Sequence, residues 1–432
     1  MENISTTKNN NIVLEKKDIK EIIPIRQTNS HKYNYGRVLI IAGSRDMPGA
    51  ATLAANASLK MGAGVVELAT PCLHPAIYPE VIPIKLIDFA VFRIKDFKIL
   101  NHKTYIQDAV VIGPGMTKNT IQLTRELVLN NPHKSWIIDA DGIAAFDVND
   151  KLNKNVILTP HLEEFSRLHK NIDIDIDIKK LNKQKLFDLV KETATKMDCN
   201  ILLKGPTTFI TDGNISYYNN FGNPGMATAG TGDVLAGIIA ANIAKKNKGI
   251  IKTDFLKTAA LSSLIHSLSA DYYVKNNDME TLAATDIIDN LKNVIKKNGR
   301  SNVRKWFRFI SILQLFIATG ICIFYSDQEN IHLPTISGID KILHFGAYFI
   351  YGLSLQVFFI ALFSMNKISR KKYYLLTIIC GFLFAISDEI HQYFVPGRHA
   401  DILDLLIDWA GISLSLLCFG IIKKVYYFVF HK

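Results

Sequence analysis

Cysteine is scarce and scattered in this chain of 432 residues: Cys72, Cys199, Cys322, Cys380 and Cys418 are the five present, and no two stand at C-x-x-C spacing. That excludes a disulfide framework and a cysteine zinc site. Neither G-x-x-x-x-G-K-[ST] nor a strand-linked G-x-G-x-x-G occurs, so a P-loop or a dinucleotide-binding Rossmann unit is unsupported. Residues 1–20, rich in Asn, Lys and Glu, hold no apolar run long enough for a signal-peptide core. They read as a flexible tail that leaves the first half in the cytoplasm unless another segment exports it. What the chain does have is apolar residues, 48% of the total, with a mean hydropathy of +0.14. This excludes a disordered or fibrous chain and is high for a purely soluble enzyme.

Up to about Leu291, short β-type runs alternate with helix-type runs. Val38–Ala42 precedes Ala50–Met61 and Ala109–Ile112 precedes Thr120–Leu129, with further strand runs at Trp136–Asp139, Val156–Leu158, Asn200–Leu203 and Thr208–Thr211. The alternation predicts an α/β domain over residues 21–292 with a mostly parallel sheet. Ile172–Ile178 alternates Ile and Asp at period two, but its place between two helical stretches reads as a surface insertion. Residues 293–305 form a basic linker. After it, Trp306–Tyr325, Ile342–Phe363, Tyr373–Phe394 and Ile402–Ile422 are apolar, each near the ~20 residues that cross a bilayer as a helix. They predict an all-α membrane domain of four spans over residues 306–425, with buried helices of a soluble bundle as the alternative.

The net charge of +11 fits either nucleic acid or loops held on the cytoplasmic side of a membrane. Its distribution decides. The linker, the loop with Lys367, Arg370, Lys371 and Lys372, and the tail with Lys423, Lys424 and Lys432 fall on one side of a four-span arrangement. The other side receives Asp327, Glu329, Asp340, Arg398 and Asp401. The positive-inside rule then predicts a multi-pass protein of the cell membrane with its α/β domain and both termini cytoplasmic. Lipid bilayer is the implied partner, and no nucleic acid need be invoked.

In the first half, Asn223-Pro-Gly-Met-Ala-Thr-Ala-Gly-Thr-Gly-Asp-Val-Leu-Ala-Gly237 leads a glycine-rich turn into a small-residue helix. Glycines let backbone N–H groups approach a phosphate, and the helix start adds its positive dipole end. Asp233 there is poorly placed to bind an anion but well placed to take a proton from a hydroxyl that attacks one; an N-capping Asp is the structural alternative. Lys204-Gly-Pro-Thr-Thr208, Gly113-Pro-Gly115 and Thr159-Pro-His161 follow strand runs and fit a nucleotide site, though singly each is an ordinary turn. His266 and Tyr272, on an apolar helical run, read as core packing.

Together these motifs resemble one family. Gly36-Arg-Val-Leu-Ile-Ile-Ala-Gly-Ser44, Gly49-Ala-Ala51, Met61-Gly-Ala-Gly64, Gly113-Pro-Gly115, Asp139-Ala-Asp141, Leu158-Thr-Pro-His161, Lys204-Gly205 and Gly230-Thr-Gly-Asp233 look like the ADP-dependent NAD(P)H-hydrate dehydratases, from about His31 to about Leu291. The resemblance implies a ribokinase-like three-layer α/β/α fold. It further implies dehydration of the S epimer of hydrated NADH or NADPH (NADHX, NADPHX), with ADP as co-substrate converted to AMP and phosphate, and Mg²⁺ as cofactor. Asp233 would be the catalytic base. Ala50, Gly115, His161 and Asp233 would contact the hydrated nucleotide; Lys204, Gly205, Pro206, Thr207, Thr208 and Gly232 would hold ADP, with the Gly230, Thr231 and Gly232 amides on the transferred phosphoryl group. A separate epimerase is implied as partner and a homo-oligomer is possible. The alternatives are a small-molecule kinase of the same fold and a silent nucleotide sensor regulating the membrane half.

In the second half, helical spacing gathers Asp340, His344 and Tyr348 on one span, Asp388, His391 and Gln392 on the next, and Asp401, Asp404 and Asp408 on the last, with Arg398 in the loop between. Ionisable residues inside spans are costly and usually face an interior. This cluster reads as an outward polar pocket for a charged headgroup, an envelope precursor or a cation, with helix-fixing ion pairs, or a metal held by His344, His391 and nearby carboxylates, as the alternatives. Asp340-Lys-Ile-Leu-His344, Ser387-Asp-Glu-Ile-His-Gln392 and Pro396-Gly-Arg398 resemble the VanZ-like family over about Phe307 to Ile422. That family is associated with teicoplanin resistance, and the resemblance implies a module rather than a reaction.

Overall fold

Strand side chains alternate between two apolar faces, and this decides the layering of the first half. Val38 and Ile40 enter one buried cluster while Leu39 and Ile41 enter the other; Val111 and Ile137 separate from Val110, Ile112, Trp136 and Ile138 in the same way. A sheet apolar on both faces needs helices on both. The computed structural model describes residues 10–24, 26–87, 90–169, 178–298, 301–327, 339–363, 369–396 and 401–431. Its first elements are β1 (Asn11–Val13), β2 (Arg37–Ile41), α1 (Pro48–Lys60), β3 (Val65–Ala69), β4 (Ile82–Ile84), α2 (Phe97–Tyr105), β5 (Ala109–Ile112) and α3 (Ile121–Asn130). Then come β6 (Trp136–Ile138), β7 (Val156–Leu158), α4 (Leu162–Leu168), α5 (Lys183–Met197), β8 (Asn200–Leu203), β9 (Thr208–Thr211) and β10 (Ser216–Asn219). Three helices close the unit: α6 (Thr231–Asn247), α7 (Phe255–Tyr273) and α8 (Ala284–Asn298).

The ten strands lie in the order β1-β10-β9-β8-β7-β6-β5-β2-β3-β4. The six pairings from β8 through β4 are parallel, and β9 is antiparallel to both its neighbours. One face is covered by α1, α6, α7 and α8, the other by α2 to α5, which gives the expected ribokinase-like three layers. The chain runs outward from β2 through β3 to β4, then returns to pair β5 on the other side of β2. Ligands of open parallel sheets bind at such a reversal, beyond the carboxyl ends of the strands. Small residues set the packing above it: a Cβ on Gly237 of α6 would overlap the Ala54 carbonyl of α1, and Ser58 Oγ donates to the Gly237 carbonyl at 2.8 Å.

Two boundaries differ from expectation. The tail expected through residue 20 is ordered from residue 10, because Asn11–Val13 pairs in parallel with β10 and Ile19 and Ile22 are fully buried. The linker expected from residue 293 begins inside α8, where Val294 joins Ile287, Ile288 and Leu291 in the core. The Ile/Asp run lies outside the described residues except for Ile178, which is buried at the start of a helical turn.

The chain divides into two compact units, Met1–Gly299 and Arg300–Lys432. The second contains α9 (Ser301–Ser326), α10 (Ile339–Phe363), α11 (Arg370–Tyr393), α12 (Ile402–Ser415) and α13 (Phe419–His431). A tighter turn at Leu416–Cys418 joins the last two, and together with the other helices they provide four segments long and apolar enough to span a membrane. Glycines bring α10 and α12 together: a Cβ on Gly411 would lie 2.6 Å from the Phe345 carbonyl oxygen, the close approach typical of membrane helices.

Candidate active site

The glycine turn before α6 has the geometry of an anion hole. Gly230 holds φ at +89°, where a side chain is strained, and a Cβ there would strike Leu53 of α1. The turn leaves the first amides of α6 without helical partners, with the dipole's positive end behind them. Thr231 Oγ1 closes the loop by donating to the Met226 and Thr228 carbonyls, both at 3.1 Å.

Lys204, at the end of β8, reaches under this turn. Its Nζ lies 2.8 Å from Asp139 Oδ1 at the end of β6 and 3.6 Å from Glu164 Oε2 in α4. A Cβ on Gly232 would sit 3.4 Å from the same ammonium, so the cation lies directly below the amide turn. Burial works against the charge on Lys204, but Asp139, Glu164 and Asp233 outweigh it and hold the group above its ordinary value. Asp233 is pushed up to about 7, first by burial and then by Asp139, with Lys204 pulling the other way. A carboxylate poised near neutrality beside an anion hole suits general-base work.

His161 caps α4, its Nδ1 accepting from the Glu163 and Glu164 amides at 3.1 and 3.4 Å. The proton therefore sits on Nε2, 3.3 Å from Glu164 Oε1. Ala50 and Gly115 meet at the sheet's reversal: the Gly43 amide after β2 donates to the Pro114 carbonyl after β5 at 2.7 Å, and a Cβ on Gly115 would lie 3.0 Å from Ala50 Cβ. Leu53, one turn along α1 from Ala50, is the residue that abuts Gly230.

A cavity of about 710 Å³ opens beside the turn, lined among others by His161, Lys204, Gly205, Thr231 and Gly232 and by the apolar Phe221, Pro224 and Met226. Ala50, Gly115, Gly230 and Asp233 are not among its lining residues. Thr207 faces elsewhere, donating to Asn220 Oδ1 and accepting from Lys183 Nζ, both at 2.9 Å. Sequence reasoning missed two contributors from α7. His266, read as core, is buried but lines the cavity with Nε2 unpartnered. Asp271 accepts from the Gly222 amide and from Asn223 Nδ2, both at 3.1 Å, and so pins the loop of the Asn223-Pro-Gly-Met226 run. The signal was present: 263, 266, 267 and 271 are polar at helical spacing on one face of the helix. Tyr272 packs against the core as expected.

In the membrane unit the polar side chains gather where α10 and α12 begin and α11 ends. His344 Nδ1 lies 3.1 Å from Asp408 Oδ1, Tyr348 donates to Asp388 at 2.9 Å, Gln392 donates to Asp388 at 3.2 Å, and Lys341 Nζ bridges Asp404 at 3.0 Å and Asp401 at 3.4 Å. Asp401 also caps α12, and its amide donates to Glu389. His391 stands apart, half-exposed, 3.4 Å from Asp327. No three metal-ligating side chains converge among the described residues. Arg398 lies outside the described residues, as does the side chain of Asp340.

A ribokinase-like α/β/α domain with an amide turn, a partly buried lysine and a buried carboxylate at the strand ends defines the class of this protein. A model of the NAD(P)H-hydrate dehydratase family matches residues 38–293, and the chain belongs to that family. A VanZ/LLP1 model matches residues 280–423. The ADP-dependent (S)-NAD(P)H-hydrate dehydratase of Staphylococcus aureus is 31% identical over 64% of this chain and 94% of its own length. The bifunctional NAD(P)H-hydrate repair enzyme of Coxiella burnetii is 32% identical over 65% of this chain. The chain spans only 54% of that relative. Among solved structures, the ADP/ATP-dependent NAD(P)H-hydrate dehydratase of Bacillus subtilis, co-crystallised with ATP and Mg²⁺, superposes with a TM-score of 0.55 at 26% identity, over 67% of this chain and 99% of that one.

Proposed function

We propose that the α/β domain dehydrates the S epimer of hydrated NADH or NADPH while converting ADP to AMP and phosphate. The observation that carries this reading is Asp233, held near neutrality beside the Gly230–Gly232 turn and the Lys204 ammonium. Asp233 takes the proton of the ring hydroxyl as that oxygen attacks the β-phosphorus of ADP. The bond to the bridging oxygen breaks, AMP leaves, and the amides of the turn hold the transferring group. The resulting phosphate ester is a far better leaving group than hydroxide, and the ring nitrogen expels it.

Mg²⁺ fits this site as an ion carried by the ADP phosphates, because the Lys204 ammonium already occupies the space between Asp139 and Glu164 and phosphate-bound Mg²⁺ needs only one or two carboxylates. When bound, it neutralises charge on the transferred group. The test is stoichiometry: full-length protein in detergent with hydrated NADH and ADP releases one AMP and one phosphate per NADH recovered. AMP formed without NADH recovery overturns the reading.

For the second half we infer four membrane spans with the α/β domain and both termini in the cytoplasm, supported by the positive residues that gather on one side of the spans. Accessibility of cysteines introduced at Asp327 and Lys424 to a membrane-impermeant thiol reagent in intact cells tests the orientation; labelling at 424 contradicts it.

A further inference from the structure

Left-handed backbone away from glycine marks two adjacent strand ends at the sheet's reversal. Among the described residues, Thr117, Ala140 and Asp198 are the non-glycine residues with positive φ. Asp198 is accounted for locally, as the left-handed cap that ends α5. Thr117, at φ +72° and ψ 158°, lies in a region open essentially to glycine alone, and its β-branched side chain makes it a true outlier there. Its hydroxyl is also buried without a hydrogen-bond partner. Such a residue persists only where its surroundings over-determine it, and such residues cluster at ligand sites.

What holds Thr117 is the other strained turn. Its amide donates to Asp141 Oδ2 at 3.0 Å, and its carbonyl accepts from the Thr120 amide at 3.3 Å and the Thr120 hydroxyl at 2.7 Å. Ala140, at φ +49°, lies between Asp139 and Asp141 in the turn after β6. The two turns interlock, since a Cβ on Gly113 would overlap the Asp139 carbonyl oxygen and one on Gly142 would lie 2.8 Å from the Ile112 carbonyl oxygen. Gly115, inside the turn that Thr117 ends, abuts Ala50 and the Met47 carbonyl at the start of α1. The Asp139-Ala-Asp141 turn thus sends its two carboxylates to different places. Asp139 goes to Lys204 under the amide turn, and Asp141 goes to the loop that meets α1.

We propose that Asp141 is a positioning residue for the hydrated nicotinamide nucleotide: its carboxylate holds the strained Thr117 and so sets the Gly113–Met116 turn against which that substrate lies. Asp139 serves the ADP side through Lys204, so Asp141 acts on one substrate and not on the other. The inference rests on the dehydratase reading given above and on the place of Ala50 and Gly115 in it.

The experiment is steady-state kinetics of full-length protein in detergent, varying hydrated NADH and ADP in turn with the other saturating. Asp141→Ala is expected to raise the KM for hydrated NADH about tenfold, the scale of a lost hydrogen bond to a charged group, with the KM for ADP and kcat little changed. Asp141→Asn, whose amide oxygen can still accept from the Thr117 amide, keeps most of the affinity. Thr117→Gly is the sharper variant, because glycine adopts this turn without strain and needs no carboxylate to hold it. Alone it leaves the KM for hydrated NADH near the wild-type value, and combined with Asp141→Ala it brings the raised KM back toward that value. A general packing defect would raise both KM values together and would not be relieved by glycine. The proposal is overturned, with the dehydratase reading intact, if Asp141→Ala leaves the KM for hydrated NADH unchanged, raises both KM values equally, or is not relieved by Thr117→Gly. Wild-type protein that recovers no NADH removes that reading and this proposal with it.

Discussion

Lys204 Nζ and Asp139 Oδ1, 2.8 Å apart, join the ends of β8 and β6 across the intervening β7, directly below the amide turn of Gly230–Gly232. This pair links stability to chemistry in the first half of the chain. Asp139 is almost fully buried and also accepts from Thr159 Oγ1 at 2.8 Å. Removing the lysine strands a buried carboxylate, which costs about 3 kcal/mol. Lys204→Met is therefore expected to lower the thermal midpoint of the α/β unit by several degrees, read by calorimetry, and an unchanged midpoint speaks against a structural role for the pair.

The same neighbours tune Asp233. As a base it must be ionised, so dehydration is expected to rise with pH and reach half its maximum near the value of about 7 to which burial and Asp139 push it. Asp139→Asn removes a charge that raises Asp233 and moves the midpoint down. Lys204→Met removes one that lowers it and moves the midpoint up. The kcat/KM profile checks both signs.

Asp233→Asn is expected to lose activity by about 10²- to 10⁴-fold, the usual worth of a positioned base, yet to melt higher at pH 8. The folded-state value lies above the unfolded 3.8, so the stability Asp233 contributes is full below about pH 4 and lost as pH rises through 7. Above that the carboxylate is a liability that Asn removes, and a gain of a few degrees is the scale of about 1 kcal/mol. A lower melting temperature at pH 8 contradicts this.

Lys245 of α6 is fully buried with Nζ 2.9 Å from the Met61 carbonyl oxygen, and burial, with Arg26 as a smaller influence, pushes it from 10.5 down to about 7. Between about 7 and 10.5 the unfolded chain binds this proton and the folded chain does not. Stability should therefore rise with pH across that window, and Lys245→Met should flatten the rise. Denaturant midpoints at pH 7 and pH 9 measure it.

In the membrane unit, Asp408 is 1% exposed against His344, whereas the His391–Asp327 pair is half-exposed. Asp408→Ala leaves the half-buried His344 without its partner and opens a gap where a fully buried side chain stood, and should lower the melting temperature in detergent clearly. Asp327→Ala breaks an exposed pair worth about 0–1 kcal/mol and should barely move it. Equal shifts contradict the buried role of Asp408.

Much of this was legible in the sequence because it is local. Gly230-Thr-Gly-Asp233 specifies its turn by the glycines and sets Asp233 in the first turn of α6, and the strand runs show both apolar faces. The partners of Lys204 were not legible, since Asp139 and Glu164 come to it from other strand ends and only the sheet order makes them neighbours. β1 was hidden because Asn11–Val13 is short and pairs with β10, some two hundred residues away. His266 is buried as read, and its place beside the cavity follows only from how α7 packs against the turn before α6. His391, grouped with Asp388 by spacing, turns instead toward the end of α9.

The most direct test of the central claim compares recovery of reduced-nicotinamide absorbance from hydrated NADH by the full-length protein and by Asp233→Asn, each with ADP. The account predicts recovery with the wild-type protein and almost none with the variant, although the variant still binds ADP. Absence of recovery with wild-type protein, or equal recovery by both, would contradict it.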